Sequence, residues 1–235
     1  MLRLDGPRMP PASGGKPKQL VILAHGYGSN GQDLIGLAPY FARLLPEAVF
    51  VSPNAPEPVP GYAGGFQWFP LSRLDPHLMA AGVKGAAPTL DAFMDQELRR
   101  YGLPASACAL VGFSQGTMMS LHVGLRRLEP LACVLGFSGV LTGAEALKAE
   151  VKSRPPVLLV HGDRDEVIPV QALFVSADGL AAAGVPALWH ISEGAGHTIA
   201  EDGLELGGRF LRDAFAGRLQ GWAGPVRKGG LMAGA

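Results

Sequence analysis

An α/β fold, with a mostly parallel central sheet covered by helices on both faces, is predicted by three features of this 235-residue chain. Short, nearly continuous apolar runs of strand length alternate with longer stretches of helical period, and continuous apolar runs are the mark of strands buried on both sides. A chain of this size fits one α/β domain with a well-filled core and leaves little for a second. Finally, 48% of the residues are hydrophobic, so the 33 glycines and 20 prolines signal a loop-rich globular protein and not a disordered one.

Residues 1–18 read as a lead-in with room for one edge strand. The first full strand is "QLVILAHG" (19–26), followed by "AVFVSP" (48–53), "CALVGFS" (108–114), "LACVLGFSG" (131–139), "PVLLVHGD" (156–163) and "ALWHISE" (187–193). Helical patterns fall over 31–45, 86–102, 115–128, 169–184 and 199–216. One domain therefore spans 19–216, and residues 217–235 form a glycine-rich tail without periodicity. Residues 53–78, "PNAPEPVPGYAGGFQWFPLSRLDPHL", make a long Pro/Gly/aromatic loop of the kind that usually serves binding, because it buries little core of its own. The interval 140–155 is too short to hold a cap domain.

Lys plus Arg and Asp plus Glu number 20 each, so no global field points to nucleic acid, to an anionic membrane surface or to a strongly charged substrate. No run approaches the ~18 apolar residues of a membrane span, and "MLRLDGPRMPPASGGKPK" lacks the apolar core of an export signal. Cys108 and Cys133 each lie in a strand-like run, as buried reduced thiols do. A cytoplasmic protein without integral membrane association is expected. The sequence leaves a homodimer open.

The chemistry concentrates around Gly112-Phe113-Ser114-Gln115-Gly116. A G-x-S-x-G between a strand and a helix lets the backbone crowd into a sharp turn that lifts the serine hydroxyl above the sheet. A serine hydroxyl needs a base, and the base needs an acid to orient it. Downstream, "HGDRDEVIP" offers Asp163, Asp165 and Glu166 after one strand, and "EGAGHTI" offers His197 after the next. The order Ser, Asp, His, each after a different strand, is that of the α/β-hydrolases. The glycines of "AHGYGSNGQDL" (24–34) expose amides near a helix start, and Tyr27 N–H with Gln115 N–H makes the natural oxyanion pair.

His25 and His161 precede glycine at strand ends and read as structural. His122 and His77 have no evident chemical partner. The cluster His161, Asp163, Asp165, Glu166 has no second His-rich patch beside it, so a metal site is not expected. Phe66, Trp68 and Phe69 can anchor the long loop or line an acyl groove.

"AHGYGSNGQDL", "PNAPEP", "QWF", "LVGFSQG", "HGDRDEVIP" and "GAGHTI" together resemble the phospholipase/carboxylesterase family of α/β-hydrolases, which includes the acyl-protein thioesterases. The resemblance covers about residues 19–216. It implies hydrolysis of small-molecule carboxylic esters or thioesters through an acyl-enzyme, with neither metal nor organic cofactor; the balanced charge already gave no reason to expect a nucleic-acid partner. The resemblance assigns the nucleophile to Ser114, the acid to Asp165, the base to His197 and the oxyanion donors to the backbone of Tyr27 and Gln115. Tyr27 stands where members often have leucine, and Thr117 where they often have glycine or alanine. Two other readings on the same fold are weaker. A dienelactone-hydrolase-like enzyme would usually carry cysteine where this chain has Ser114, and a noncatalytic relative would have lost a triad member. A triad by itself does not separate an esterase from a lysophospholipase or a peptidase.

Overall fold

The computed structural model describes residues 4–71 and 75–219. The expected tail lies outside the described residues from position 220 onward.

In chain order the elements are β1 (Arg8–Met9), β2 (Gln19–Ala24), α1 (Gly31–Leu34), α2 (Ala38–Ala42), β3 (Ala48–Val51), β4 (Glu57–Pro58), β5 (Phe66–Gln67) and α3 (Pro76–Tyr101). Then come β6 (Cys108–Phe113), α4 (Gln115–Arg126), β7 (Cys133–Phe137), α5 (Ala144–Glu150), β8 (Val157–Gly162), α6 (Gln171–Ala182), β9 (Ala187–Ser192) and α7 (Glu201–Phe215). Seven strands form one sheet in the order β1-β3-β2-β6-β7-β8-β9. All pair in parallel except the edge strand β1, which runs antiparallel to β3. β4 and β5 pair separately as a small antiparallel hairpin within the long loop.

Side-chain alternation along the strands divides the core in two, because successive residues point to opposite faces. Leu20, Ile22, Cys108 and Leu110 pack on one face with Leu90 and Met94 of α3, Met118 and Leu121 of α4, Leu147 of α5 and Leu173 of α6. Val21, Leu23, Ala109 and Val111 pack on the other with Leu34 of α1, Phe41 of α2 and Phe210 and Leu211 of α7. Cys108 and Cys133 lie on opposite faces. Both are free and buried, and burial pushes the Cys108 thiol up to about 12. No cap domain interrupts the described residues, and none of their helices is long and apolar enough to cross a membrane.

Helix α5 was not expected, and two expected helices differ from their predicted spans. The pattern over 31–45 forms two short helices joined by a 3-10 turn at Ile35–Leu37, because Pro39 has no N–H with which to continue the first. α3 begins at Pro76, ten residues before its expected start at 86. Asp75 caps it by accepting the His77 and Leu78 N–H groups, each at 3.0 Å, and Pro76 occupies the first helical position, where a missing N–H costs nothing.

Candidate active site

The loops at the carboxyl ends of β2, β6, β8 and β9 build the site, where open parallel sheets place ligands. Ser114 lies between β6 and α4 with φ 53° and ψ −116°, a backbone conformation an L-residue keeps only when its surroundings impose it. Its N–H donates to the Phe137 carbonyl on β7 at 2.9 Å, and its carbonyl accepts from Thr117 N–H at 2.9 Å. The glycines of the motif are sterically required. A Cβ on Gly112 would lie 2.4 Å from the Gly116 carbonyl, and one on Gly116 would lie 1.9 Å from the Ala24 carbonyl.

Asp165, in the turn after β8, has a fully buried side chain. Its Oδ2 lies 2.8 Å from His197 Nδ1, while Oδ1 accepts the Val167 and Ile168 N–H groups at 2.9 and 2.8 Å. The His197 ring packs beside Phe113, the residue before the serine, with centroids 5.0 Å apart. Asp163 and Glu166 are exposed. Asp163 Oδ1 accepts the Gly194 N–H at 2.6 Å and so ties the β8 and β9 loops together.

The loop after β2 abuts the serine turn: a Cβ on Gly26 would lie 3.2 Å from that of Ser114. It also bridges to β5, with Gly28 N–H donating to the Phe66 carbonyl at 2.9 Å and Phe66 N–H to the Ser29 carbonyl at 2.8 Å. Gln115 opens α4 with its side chain wholly buried, so its backbone N–H sits at a helix N-terminus, where the macrodipole favours negative charge.

The aromatic trio divides. Trp68 and Phe69 are 1% and 3% exposed and belong to the core. Of the two roles the sequence left open, this burial fits loop anchoring for Trp68 and Phe69, whose backbone and indole groups are hydrogen-bonded inward. Phe66 is half-buried. The exposed aromatics here are Tyr27 and Tyr62, at 42% and 61%, and the Tyr62 ring lies over Gly65 and reaches Gly28.

Four side chains of this region make hydrogen bonds that the sequence did not signal. Gln115 Oε1 accepts the Trp68 N–H at 2.8 Å, and Nε2 donates to the Phe69 carbonyl at 2.8 Å. The Trp68 indole donates to the His25 carbonyl at 2.9 Å. His25 Nδ1 donates to the Gly26 carbonyl at 2.7 Å and Nε2 accepts Ala55 N–H at 2.9 Å. That pairing requires a neutral ring, and burial lowers the His25 pKa. His161 Nε2 lies 2.8 Å from the Ile168 carbonyl, to which it donates, and 3.2 Å from Asp165 Oδ2. His25 and His161 are therefore structural, as expected, but both stand next to the site. Long-range pairs such as Gln115 with Trp68 leave no periodicity or local spacing to read. Among the described residues no group of three or more His, Cys, Asp or Glu is arranged to hold a metal ion.

The sequence model of the Phospholipase/Carboxylesterase family matches residues 11–214. The chain is 31% identical to esterase YpfH of Escherichia coli (strain K12) over 196 residues, covering 83% of this chain and 82% of that one. It is 28% identical to acyl-protein thioesterase 1 of Gibberella zeae over 209 residues, covering 82% and 88%. The crystal structure of esterase PE8 superposes with a TM-score of 0.86 at 46% identity, covering 90% of this chain and 99% of that one.

Proposed function

This chain belongs to the phospholipase/carboxylesterase family and is a hydrolase of the carboxylesterase/thioesterase type, and from that premise we propose that Ser114, His197 and Asp165 are its triad, acting on medium-length acyl esters or thioesters. The observation that carries the reading is the 2.8 Å contact between His197 Nδ1 and Asp165 Oδ2, with the His197 ring packed on Phe113, the residue before a serine held at positive φ. With Nδ1–H donated to the carboxylate, Nε2 is left as the base.

In this mechanism the substrate carbonyl docks against the Tyr27 and Gln115 amides. His197 takes the Ser114 proton as Oγ bonds to the carbonyl carbon, and the negative charge gathers on the carbonyl oxygen. Collapse of that intermediate expels the alcohol or thiol, which takes the proton from His197. Water then attacks the acyl-enzyme with the same base and releases the acid. No step requires a metal or organic cofactor.

The chain-length preference rests on the exposed Tyr27 and Tyr62 rings and the half-buried Phe66 beside the oxyanion loop. These offer apolar surface without a closing cap. Each methylene buried there should favour binding by about 0.8 kcal/mol until the surface ends. An acyl-length series of chromogenic esters and matched thioesters, extended to lysophospholipids and one matched amide, tests it. The expected kcat/KM rises from acetate to a medium-length optimum, with the amide far slower. Fastest turnover on acetate, declining steadily with length, would contradict the reading.

A further inference from the structure

The two backbone donors assigned to the oxyanion hole stand on separate segments, Tyr27 in the loop after β2 and Gln115 at the start of α4, yet a continuous series of hydrogen bonds involving buried side chains joins them. It starts on Gln115 itself. Its carboxamide takes the place of a neighbouring strand for the Trp68-Phe69 backbone, accepting from Trp68 N–H and donating to the Phe69 carbonyl, both at 2.8 Å. The Trp68 indole N–H carries the chain to the His25 carbonyl at 2.9 Å. The His25 imidazole, braced by Ala55 N–H at 2.9 Å, donates to the Gly26 carbonyl at 2.7 Å. Ser29 N–H reaches the same carbonyl at 3.2 Å.

The last link aims the donor. No cis peptide occurs among the described residues, and in a trans peptide the carbonyl and the following N–H point in opposite directions. Holding the Gly26 carbonyl toward His25 and Ser29 therefore turns the Tyr27 N–H the other way. Every side chain in the series is almost wholly buried, with Gln115 and His25 at 0% and Trp68 at 1% exposed, so water does not compete for these bonds. Oxyanion donors act only when placed in advance where charge will develop, and a small misplacement forfeits much of the effect.

We infer that Gln115, Trp68 and His25 are positioning residues that fix the separation and direction of the two oxyanion donors, through the series Gln115 carboxamide, Trp68 indole, His25 imidazole and Gly26-Tyr27 peptide. This rests on the serine mechanism proposed above. It gives the Gln115 side chain a second duty beyond its backbone N–H, and it gives Trp68 a role in rate without contact with substrate.

The test replaces Trp68 by 3-benzothienylalanine, which keeps the ring shape and removes only the N–H, alongside Trp68→Phe and Gln115→Met. Active sites are counted with a serine-directed fluorophosphonate. On labelled sites, kcat and KM for a chromogenic ester are measured, together with the inhibition constant of an alkyl trifluoromethyl ketone. That ketone adds the serine oxygen to its carbonyl carbon, passes the serine proton to histidine and leaves an oxyanion in the hole. The expected result is a fall in kcat of about 10- to 100-fold, somewhat less than for deleting a donor outright, with a matching loss of ketone affinity and nearly unchanged KM. A merely structural role would lower the labelled fraction and the melting temperature but leave kcat and ketone affinity per site unaltered, which would overturn the inference. Gln115→Met leaves two buried backbone groups unpaired; should it fail to fold, the benzothienyl variant alone decides. A wild-type protein that takes no label overturns the serine mechanism and this inference with it.

Discussion

His197 Nδ1 and Asp165 Oδ2 lie 2.8 Å apart, on a carboxylate whose orientation does not depend on the imidazole. Two backbone N–H groups, of Val167 and Ile168, fix its Oδ1, and His161 Nε2 stands 3.2 Å from the oxygen that His197 uses. His161 donates the same N–H to the Ile168 carbonyl, so the turn after β8 holds the acid through contacts that do not involve the base.

Asp165→Asn keeps an oxygen for the two backbone donors but turns an NH₂ toward His197 and His161, both of which present N–H groups. His197 is then driven into the opposite tautomer. A drop in kcat of about 10⁴-fold is expected, as for other neutralised triad acids, together with a stability loss of about 1–3 kcal/mol from donors facing donors. Asp163→Asn retains the Oδ1 that receives Gly194 N–H at an exposed position, so it should keep near-normal kcat and lose under ~1 kcal/mol. Steady-state kinetics and thermal melts on both variants check this. A catalytically dead but fully folded Asp163→Asn would reverse the assignment.

The strained serine makes a second pair of variants informative. Ser114→Ala should abolish both ester hydrolysis and fluorophosphonate labelling, and because Ala meets the same steric limits at φ 53° its stability should stay close to wild type. Ser114→Gly should be equally inactive but more stable than Ser114→Ala, by about 1 kcal/mol, since glycine adopts this conformation without strain. Chemical denaturation measures the difference. A Gly variant less stable than the Ala variant would show that the turn stores no strain at this residue.

How much of this was legible in the sequence varies by the range of the interaction that decides each feature. The central strands, the serine turn and the Asp165 and His197 loops could be read because strand runs, glycine spacing and chain order are local or sequential signals. The start of α3 was missed although Asp75-Pro76 is a local helix-start signal, because Gly82, Gly85 and Pro88 weakened the periodic pattern behind it. Helix α5 fell in an interval read only for its shortness. Trp68 and Phe69 were legible as aromatics that either anchor the loop or line a groove, and the local pattern could not choose between the two because their partner Gln115 lies 47 and 46 positions away.

Arg8 illustrates the same limit at the N-terminal edge. It lies on the two-residue strand β1 and meets Glu97 of α3 with two hydrogen bonds, at 3.1 and 2.8 Å, where the Glu97 side chain is fully buried. Arg100 is 3.6 Å away and Gln96 Nε2 donates to the same carboxylate at 3.3 Å, so loss of Arg8 would leave Glu97 only partly compensated. Arg8→Met should destabilise by about 2–4 kcal/mol, near the lower part of the range for breaking a buried ion pair, with kcat unaffected because the edge lies far from the serine turn. Denaturation midpoints and kcat of the variant test this. The double variant Arg8→Met/Glu97→Gln should recover part of the loss, and no recovery would mean that the pair is not the cause.

The histidine on α4 sets an acid limit on stability. Burial first, and then the neighbouring Arg126 and Lys84 charges, push the His122 pKa down to about 4, with Glu150 opposing them. The unfolded chain titrates this group near 6.5. Between those two values the unfolded state holds the extra proton, so stability rises with pH there. The contribution of neutral His122 is therefore complete above about pH 6.5 and is lost as pH falls toward 4. His122→Gln removes the titration while keeping a polar side chain of similar reach. The variant should melt below or level with wild type at pH 7, and the gap should close or invert by pH 5, because only the wild type gives up stability to proton uptake at this site. Comparing the two proteins at each pH cancels the carboxylates they share. A difference in melting temperature that stays constant from pH 7 to 5 would show that His122 titrates alike in the folded and unfolded chains.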